Sequence, residues 1–133
     1  MPDAVNLFTT VGRGLSAQMV RMNAAASNLA NAGAVAGSEA ASYRPLRPVF
    51  SEEYDRLTGL STVRVEGVFR SAAAPIKLHD PDHPMADADG NVWQAPVDET
   101  AEMVEVMEAS RHYQNLVEAM QTAKQLMLET VRT

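Results

Sequence analysis

The sequence contains no cysteine, few aromatic residues and no long apolar run. Without cysteine, disulfide scaffolds and cysteine-ligated metals are excluded. Aromatic residues make up only 5% of the 133 residues, and much of the 46% apolar share is alanine, which buries little area. We therefore expect thin helix–helix seams in place of one large core.

Membrane and secretion signals are also missing from the sequence. No stretch approaches the roughly 20 apolar residues that a membrane-spanning helix needs. The segment from Met1 to Arg13 lacks the basic start and the apolar run of a cleaved secretory signal. We expect a protein that, if it leaves the cytoplasm, does so without such a signal.

Positive charge is scarce. There are 11 basic residues against 17 acidic ones, so the formal net charge is −6. Because non-specific binding to nucleic acid needs a basic surface, this balance predicts that nucleic acid is not a partner.

Proline and glycine divide the chain into three parts. Six of the seven prolines lie between Pro45 and Pro96, whereas residues 97–133 contain neither proline nor glycine. This distribution predicts an α+β, mainly α fold. Its long terminal helices lie in residues 1–31 and 98–133, and residues 32–97 form a small irregular or β-rich middle segment. The residues permit the two helices to pair as a coiled-coil-like hairpin but do not require it.

The first helix is predicted over residues 4–31 from a heptad-like pattern of apolar residues. One row of the pattern comprises Phe8, Leu15, Met22 and Leu29, and the row beside it comprises Val11, Gln18, Ala25 and Ala32. Gly12 and Gly14 indicate either close backbone approach or fraying. Asn28 and Asn31 either end the helix or hydrogen-bond neighbouring backbone.

The last helix is predicted over residues 99–131, with Asp98 as its N-cap. Spacings of three and four residues define its seam. The seam residues are Met103, Val106, Ser110, Tyr113, Val117, Met120, Lys124, Met127 and Val131. We therefore expect each terminal helix to pack its apolar face against another helix.

The middle segment shows strand patterns. Residues 63–70 alternate with a period of two, and Ile76 with Leu78 indicates a second strand. Residues 92–94 suggest a third strand, and residues 32–43 read as a loop.

One cluster raises the possibility of a metal site. It contains His79, His83, Asp87 and Asp89. Pro81 and Pro84 prevent the helix that would bring both histidines to one metal, and the aspartates do not fit a calcium loop. We interpret the cluster as a solvated turn and predict no metal and no cofactor.

No catalytic arrangement is recognisable either. His112 has no partner nucleophile, and Gly12 with Gly14 lacks the preceding strand and third glycine of a phosphate loop. The methionines of the last segment are typical of adaptable packing. We predict that the chain is not an enzyme.

Three stretches resemble a known family. Residues 17–31, AQMVRMNAAASNLAN, resemble the N-terminal signature of bacterial flagellar axial proteins. The C-terminal helix of proximal rod proteins is similar to VD at 97–98, EMV at 102–104, ASRHYQ at 109–114, VEAM at 117–120 and AKQLM at 123–127. Residues 80–90, DPDHPMADADG, resemble the middle of one type of proximal rod protein. On these motifs the chain is identified as a member of the bacterial flagellar basal-body rod protein family.

The resemblance implies a structural role. Such proteins assemble helically into the rod, the drive shaft that transmits torque from the rotor to the hook across the periplasm. Their partners are copies of themselves, other rod proteins and the flagellar type III export apparatus, which exports them without a cleaved signal. The terminal helices form an inner tube and the middle segment packs outside it.

The predicted assembly interface lies on the terminal helices. Its residues are Phe8, Val11, Leu15, Met22, Asn28, Leu29, Asn31, Met103, Val106, Tyr113, Val117, Met120 and Met127. The alternative hypothesis is a dimeric helical binding module or secretion chaperone, which would share the acidic charge and the amphipathic ends. A small metal-dependent hydrolase using His79 and His83 is the third hypothesis, and the ligand geometry argues against it.

Overall fold

Two long helices and five strands make up the fold in the computed structural model. The structure describes residues 2–132, with side chains from residue 6 onward. The elements in chain order are α1 (Pro2–Ala30), β1 (Val35–Ala36), β2 (Leu46–Asp55), β3 (Leu60–Arg70), β4 (Ile76–His79), β5 (Asn91–Gln94) and α2 (Glu99–Arg132). Residues 1 and 133, the outer limits of the predicted terminal segments, lie outside the described residues.

Side-chain hydrogen bonds mark the start of α2 and the end of α1. The Asp98 carboxylate caps α2 by accepting the Ala101 N–H at 3.2 Å, as the sequence predicts. At the end of α1, the Asn31 side chain donates to the Ser27 carbonyl at 2.8 Å and its backbone N–H binds the same carbonyl at 3.2 Å. Asn31 directly follows the last residue of α1 and its amide also bonds neighbouring backbone, so the structure contains both roles predicted for it.

The helices pack against each other in antiparallel orientation. Arg21 of α1 binds Glu105 near the start of α2, and Gly14 lies beside Leu116 farther along. Five of the eight buried residues in the described parts of the two helices are alanines: Ala17, Ala24 and Ala25 on α1, and Ala109 and Ala123 on α2; the other three are Val11, Asn28 and Glu102. The thin seam expected from an alanine-rich composition is confirmed.

The middle segment forms two separate antiparallel sheets. Strands β1, β5 and β4 make a three-stranded sheet in that order, and β2 pairs with β3 in a long hairpin. The predicted strands at 63–70, 76–78 and 92–94 are confirmed within β3, β4 and β5. Two strands were not predicted: β2, and β1, which lies inside the segment interpreted as a loop.

The hairpin contains a β-bulge. Val49 pairs with Gly67 and Phe50 pairs with Val65, which leaves Glu66 of β3 without an opposite residue. The Glu66 carboxylate accepts a hydrogen bond from the Ser51 hydroxyl across the hairpin.

Candidate assembly surface

The predicted interface residues of α1 lie on both sides of its buried line. Val11 and Asn28 are buried, whereas the other α1 residues of the predicted interface are half-buried and form its flank: Phe8, Leu15, Met22, Leu29 and Asn31. The centre of the line is taken by Ala17, Ala24 and Ala25. The row of large apolar residues, Phe8, Leu15, Met22 and Leu29, therefore borders the contact between the two helices. Part of its surface lies outside that contact.

On α2 the structure corrects the predicted seam by one residue. The buried residues are Glu102, Ala109 and Ala123, not Met103, Ser110 and Lys124. Met103 is 55% exposed and Lys124 is also exposed. Close approach of two alanine-lined helices leaves no room for a large side chain at the centre. Val131, the last residue of the predicted seam, is also exposed, by 78%. The other residues of the predicted seam are half-buried: Val106, Ser110, Tyr113, Val117, Met120 and Met127.

Apolar residues are also displayed on the outer side of α2. Near its start Met103, Val104 and Met107 are exposed, and near its end Leu126, Leu128 and Val131 are exposed, the last by 78%. Several large apolar side chains exposed close together favour contact with other proteins. The helix pair thus leaves unpartnered apolar area at both ends of α2.

A cluster of charges joins α1 to α2. The Arg21 guanidinium donates to Glu105 at 2.6 Å and to the Gln18 side-chain oxygen at 2.9 Å, and it lies 3.7 Å from Glu108. The hydrogen bond to Glu105 is the main cause that raises the pKa of Arg21. Glu105 and Glu108 belong to a run of glutamates at positions 99, 102, 105 and 108, and these two match the charge of Arg21 on the neighbouring helix.

A second ion pair joins the hairpin to α2. Arg47 at the start of β2 donates to the Glu102 carboxylate at 2.6 Å. The Glu102 side chain is 4% exposed and that of Arg47 is 51% exposed. A carboxylate this deeply buried needs a charged partner. The sequence does not indicate this burial, because an acidic residue in the first turn of a helix is common.

Asn28 forms a third connection, between α1 and the start of β2. Its side-chain oxygen accepts the Leu46 N–H at 2.8 Å and the Tyr43 hydroxyl at 2.8 Å, and its amide donates to the Leu46 carbonyl at 3.0 Å. The residue is completely buried. Of the two roles predicted for Asn28, bonding to neighbouring backbone is the one that the structure contains, and its target is the start of β2.

The histidine and aspartate cluster forms a hydrogen-bonded turn. The Asp87 carboxylate accepts backbone N–H groups from Asp89 and Asn91, and Gly90 adopts a φ of +78°. The His83 ring accepts the Met85 N–H at 3.0 Å. Among residues 2–132 no group of three or more metal-ligating side chains comes together. Neither helix in that range is long and apolar enough to cross a membrane.

Comparison with known proteins identifies the family. The family model described as "Flagellar basal body rod FlgEFG protein C-terminal" matches residues 88–133. A flagellar basal-body rod protein FlgC of Salmonella typhimurium is 42% identical over 129 residues, covering 96% of this chain and 95% of the relative. FlgC of Escherichia coli O6:H1 is 41% identical over 127 residues, with the same coverage.

A more distant relative is also similar along most of the chain. FlgC of Agrobacterium fabrum is 28% identical over 121 residues, covering 90% of this chain and 87% of the relative. Similarity along nearly the whole chain agrees with the order of helix, hairpin, sheet and helix described above. The chain belongs to the family of flagellar basal-body rod proteins FlgC.

Proposed function

We propose that this rod-family chain is a structural subunit that assembles helically, with copies of itself and with other rod proteins, into the proximal part of the flagellar rod. The observation that carries the proposal is the apolar surface left outside the α1–α2 pair. It comprises the flank of Phe8, Leu15, Met22 and Leu29 and the exposed residues of α2. An interface between different surfaces of identical chains does not close, and it therefore generates a filament.

In this proposal the terminal segments 1–31 and 98–133 form the inner tube domain, and residues 32–97 lie outside it. The hydrogen bonds of Asn28 and the Arg47–Glu102 ion pair fix the hairpin to the helix pair. A rotor that turns such a rod transmits torque to the hook through these packed elements. Of the 13 predicted interface residues, Val11 and Asn28 are buried within the chain, and the other 11 remain the proposed contact surface, with Met103 available from the exposed side of α2.

Location and export follow from the family. The rod crosses the periplasm, and the subunit reaches it through the flagellar type III export apparatus without a cleaved signal. The acidic balance of 17 acidic to 11 basic residues supports the absence of a nucleic-acid partner. The relatives are named as rod proteins, which supports a role without catalysis, metal or cofactor.

The proposal is tested by following the chain into basal bodies. A tagged copy that replaces the native one in flagellated cells should co-purify with intact basal bodies and support swimming. The purified chain should form larger assemblies as its concentration rises in sedimentation experiments. A discrete dimer that does not grow, together with absence from basal bodies, would instead support the dimeric binding module or chaperone.

A further inference from the structure

The turn between β2 and β3 exposes apolar side chains and is closed by hydrogen bonds to Asp55. The Asp55 carboxylate accepts the Leu57 N–H at 2.9 Å, and the Gly59 N–H donates to the Asp55 carbonyl at 2.8 Å. Gly59 has a φ of +72°, which favours glycine. Leu57 is 97% exposed on this turn, and Tyr54 and Leu60 are exposed beside it.

The residue next to Leu57 adds positive charge. Within residues 2–132 the Arg56 guanidinium has no ion-pair partner, while the neighbouring Asp55 carboxylate is held by the turn. We call Tyr54, Arg56, Leu57 and Leu60 the tip patch. It combines an exposed apolar group with a cation that has no ion-pair partner among residues 2–132.

A surface of complementary character lies on β4. Ile76 and Leu78 are 46% and 40% exposed and lie on the same face of the strand. Asp80 and Asp82 follow directly, both exposed and without an ion-pair partner in the part of the chain that the structure describes. We call Ile76, Leu78, Asp80 and Asp82 the β4 patch. In the described chain β4 pairs only with β5, so its outer edge is open.

The two patches lie at opposite ends of the molecule. The root of the hairpin is fixed where Leu46 meets Asn28, and its far half lies beside Arg13, which binds Thr62 at 2.9 Å. From Leu46 to Asp55 the strand extends about 30 Å at roughly 3.3 Å per residue. The sheet that contains β4 is joined to the root end, because β1 follows α1 and β5 precedes α2 by a few residues. The tip of one chain is thus directed away from its own β4 patch.

We propose that the tip patch of one copy docks on the β4 patch of a second copy of this chain. Leu57 covers Ile76 and Leu78, and Arg56 faces the carboxylates of Asp80 and Asp82. Because the patches differ and lie at opposite ends, the contact is head-to-tail and repeats without closing. The inference rests on the proposed function and adds a contact in the middle segment that is independent of the terminal helices.

Cysteine cross-linking tests the contact directly, since the natural chain has no cysteine. Flagellated cells carry Leu57→Cys together with Leu78→Cys in place of the native chain, and their basal bodies are isolated after mild oxidation. We expect a ladder of cross-linked dimers, trimers and higher species. Leu57→Cys with Glu39→Cys, which places the second thiol in an exposed loop, is the matched control and should give monomer.

The outcomes separate the inference from the proposed function. Basal bodies that contain the double variant but yield no ladder overturn the contact and leave the rod assignment standing. A cross-link from the tip to a different flagellar protein also overturns it, because the occupant is then not a second copy. Failure of the tagged but otherwise natural chain to enter basal bodies would reject the rod assignment itself.

Charge exchange supplies a second, independent measurement. Arg56→Asp should lower the yield of the cross-linked ladder by up to about fivefold, as expected for one exposed ion pair. Combining Arg56→Asp with Asp80→Arg and Asp82→Arg should restore the yield. Arg64→Asp, the same change on β3 away from the turn, is the control and should have no effect. An equal loss with Arg64→Asp, or no restoration by the exchange, contradicts the proposed pairing.

Discussion

The side chain of Asn28 binds both backbone polar groups of Leu46, accepting from its N–H at 2.8 Å and donating to its carbonyl at 3.0 Å. An amide side chain offers the same donor and acceptor as a peptide group. Asn28 therefore holds the first residue of β2 as a neighbouring strand would. This joins the end of α1 to the root of the hairpin.

Replacing Asn28 should destabilise the chain strongly. Asn28→Ala leaves the two backbone groups of Leu46 and the Tyr43 hydroxyl without this partner in a buried site. We expect the free energy of unfolding to fall by about 2–4 kcal/mol, measured by urea denaturation of the purified chain. Asn31→Ala removes only a bond within its own helix and should cost about 1 kcal/mol or less. Equal losses for the two variants would contradict the role given to Asn28.

The two glycines of α1 provide a matched pair. A Cβ at Gly12 would meet nothing within 4 Å, whereas a Cβ at Gly14 would lie 3.0 Å from a methyl of Leu116. Gly12→Ala should stabilise the chain by about 0.5–1 kcal/mol through helix propensity. Gly14→Ala should gain less, because Leu116 must shift to make room. Thermal unfolding of both variants checks the order, and a larger gain for Gly14→Ala would disprove close approach there.

Because Arg47 pairs with the buried carboxylate of Glu102, it should contribute more to the free energy of unfolding than its own exposure suggests. Arg47→Ala leaves Glu102 buried without its partner and should lower the free energy of unfolding by about 1–3 kcal/mol. Adding Glu102→Gln removes the uncompensated charge, so the double variant should recover part of the loss. Denaturation of the single and double variants measures this coupling. A double variant less stable than Arg47→Ala alone would refute it.

Substitution of the half-buried apolar flank should block assembly. Leu29→Asp and Met120→Asp place a charge at positions that border the helix pair. Burying an unpaired carboxylate there costs several kcal/mol, and the penalty recurs in every copy. We expect the variants to be made, exported and soluble but absent from basal bodies, with loss of swimming.

Exposed neighbours are the controls for that experiment. Asn23→Asp on α1 and Gln121→Asp on α2 add the same charge at exposed positions and should preserve assembly. Normal swimming with Leu29→Asp or Met120→Asp would exclude the terminal helices as the assembly surface.

Periodicity and composition were sufficient to predict both helices, the alternating strand within β3 and the short strands β4 and β5. The strand β2 was missed because Pro48 and the acidic pair Glu52 and Glu53 interrupt its pattern. Pro48 is tolerated because the hairpin has only two strands. Its pairing partner β3 therefore determines the strand, and that pairing is not a local property of residues 46–55.

The seam of α2 was displaced for a related reason. A search for large apolar residues selects Met103 and passes over Ala109 and Ala123, although the two alanines are the residues with no exposed surface. Burial of Glu102 depends on Arg47, which is 55 residues away in the sequence. Contacts of this range decide which helical face is inside, and a single-sequence pattern does not contain them.

The bulge at Glu66 makes the hairpin unequal in its tolerance of length changes. Deleting that one residue would keep every pair of the hairpin in register and remove only the bulge. Deleting the paired residue Val63 instead would move Thr62 from opposite Glu53 to opposite Glu52, and Thr62 would turn to the other face, away from Arg13. Residues added within the turn at 56–59 would leave both strands in phase. Evolution can therefore change the length of this arm at its turn or at the bulge, whereas a single insertion or deletion at a paired residue reverses the faces of every residue between it and the turn.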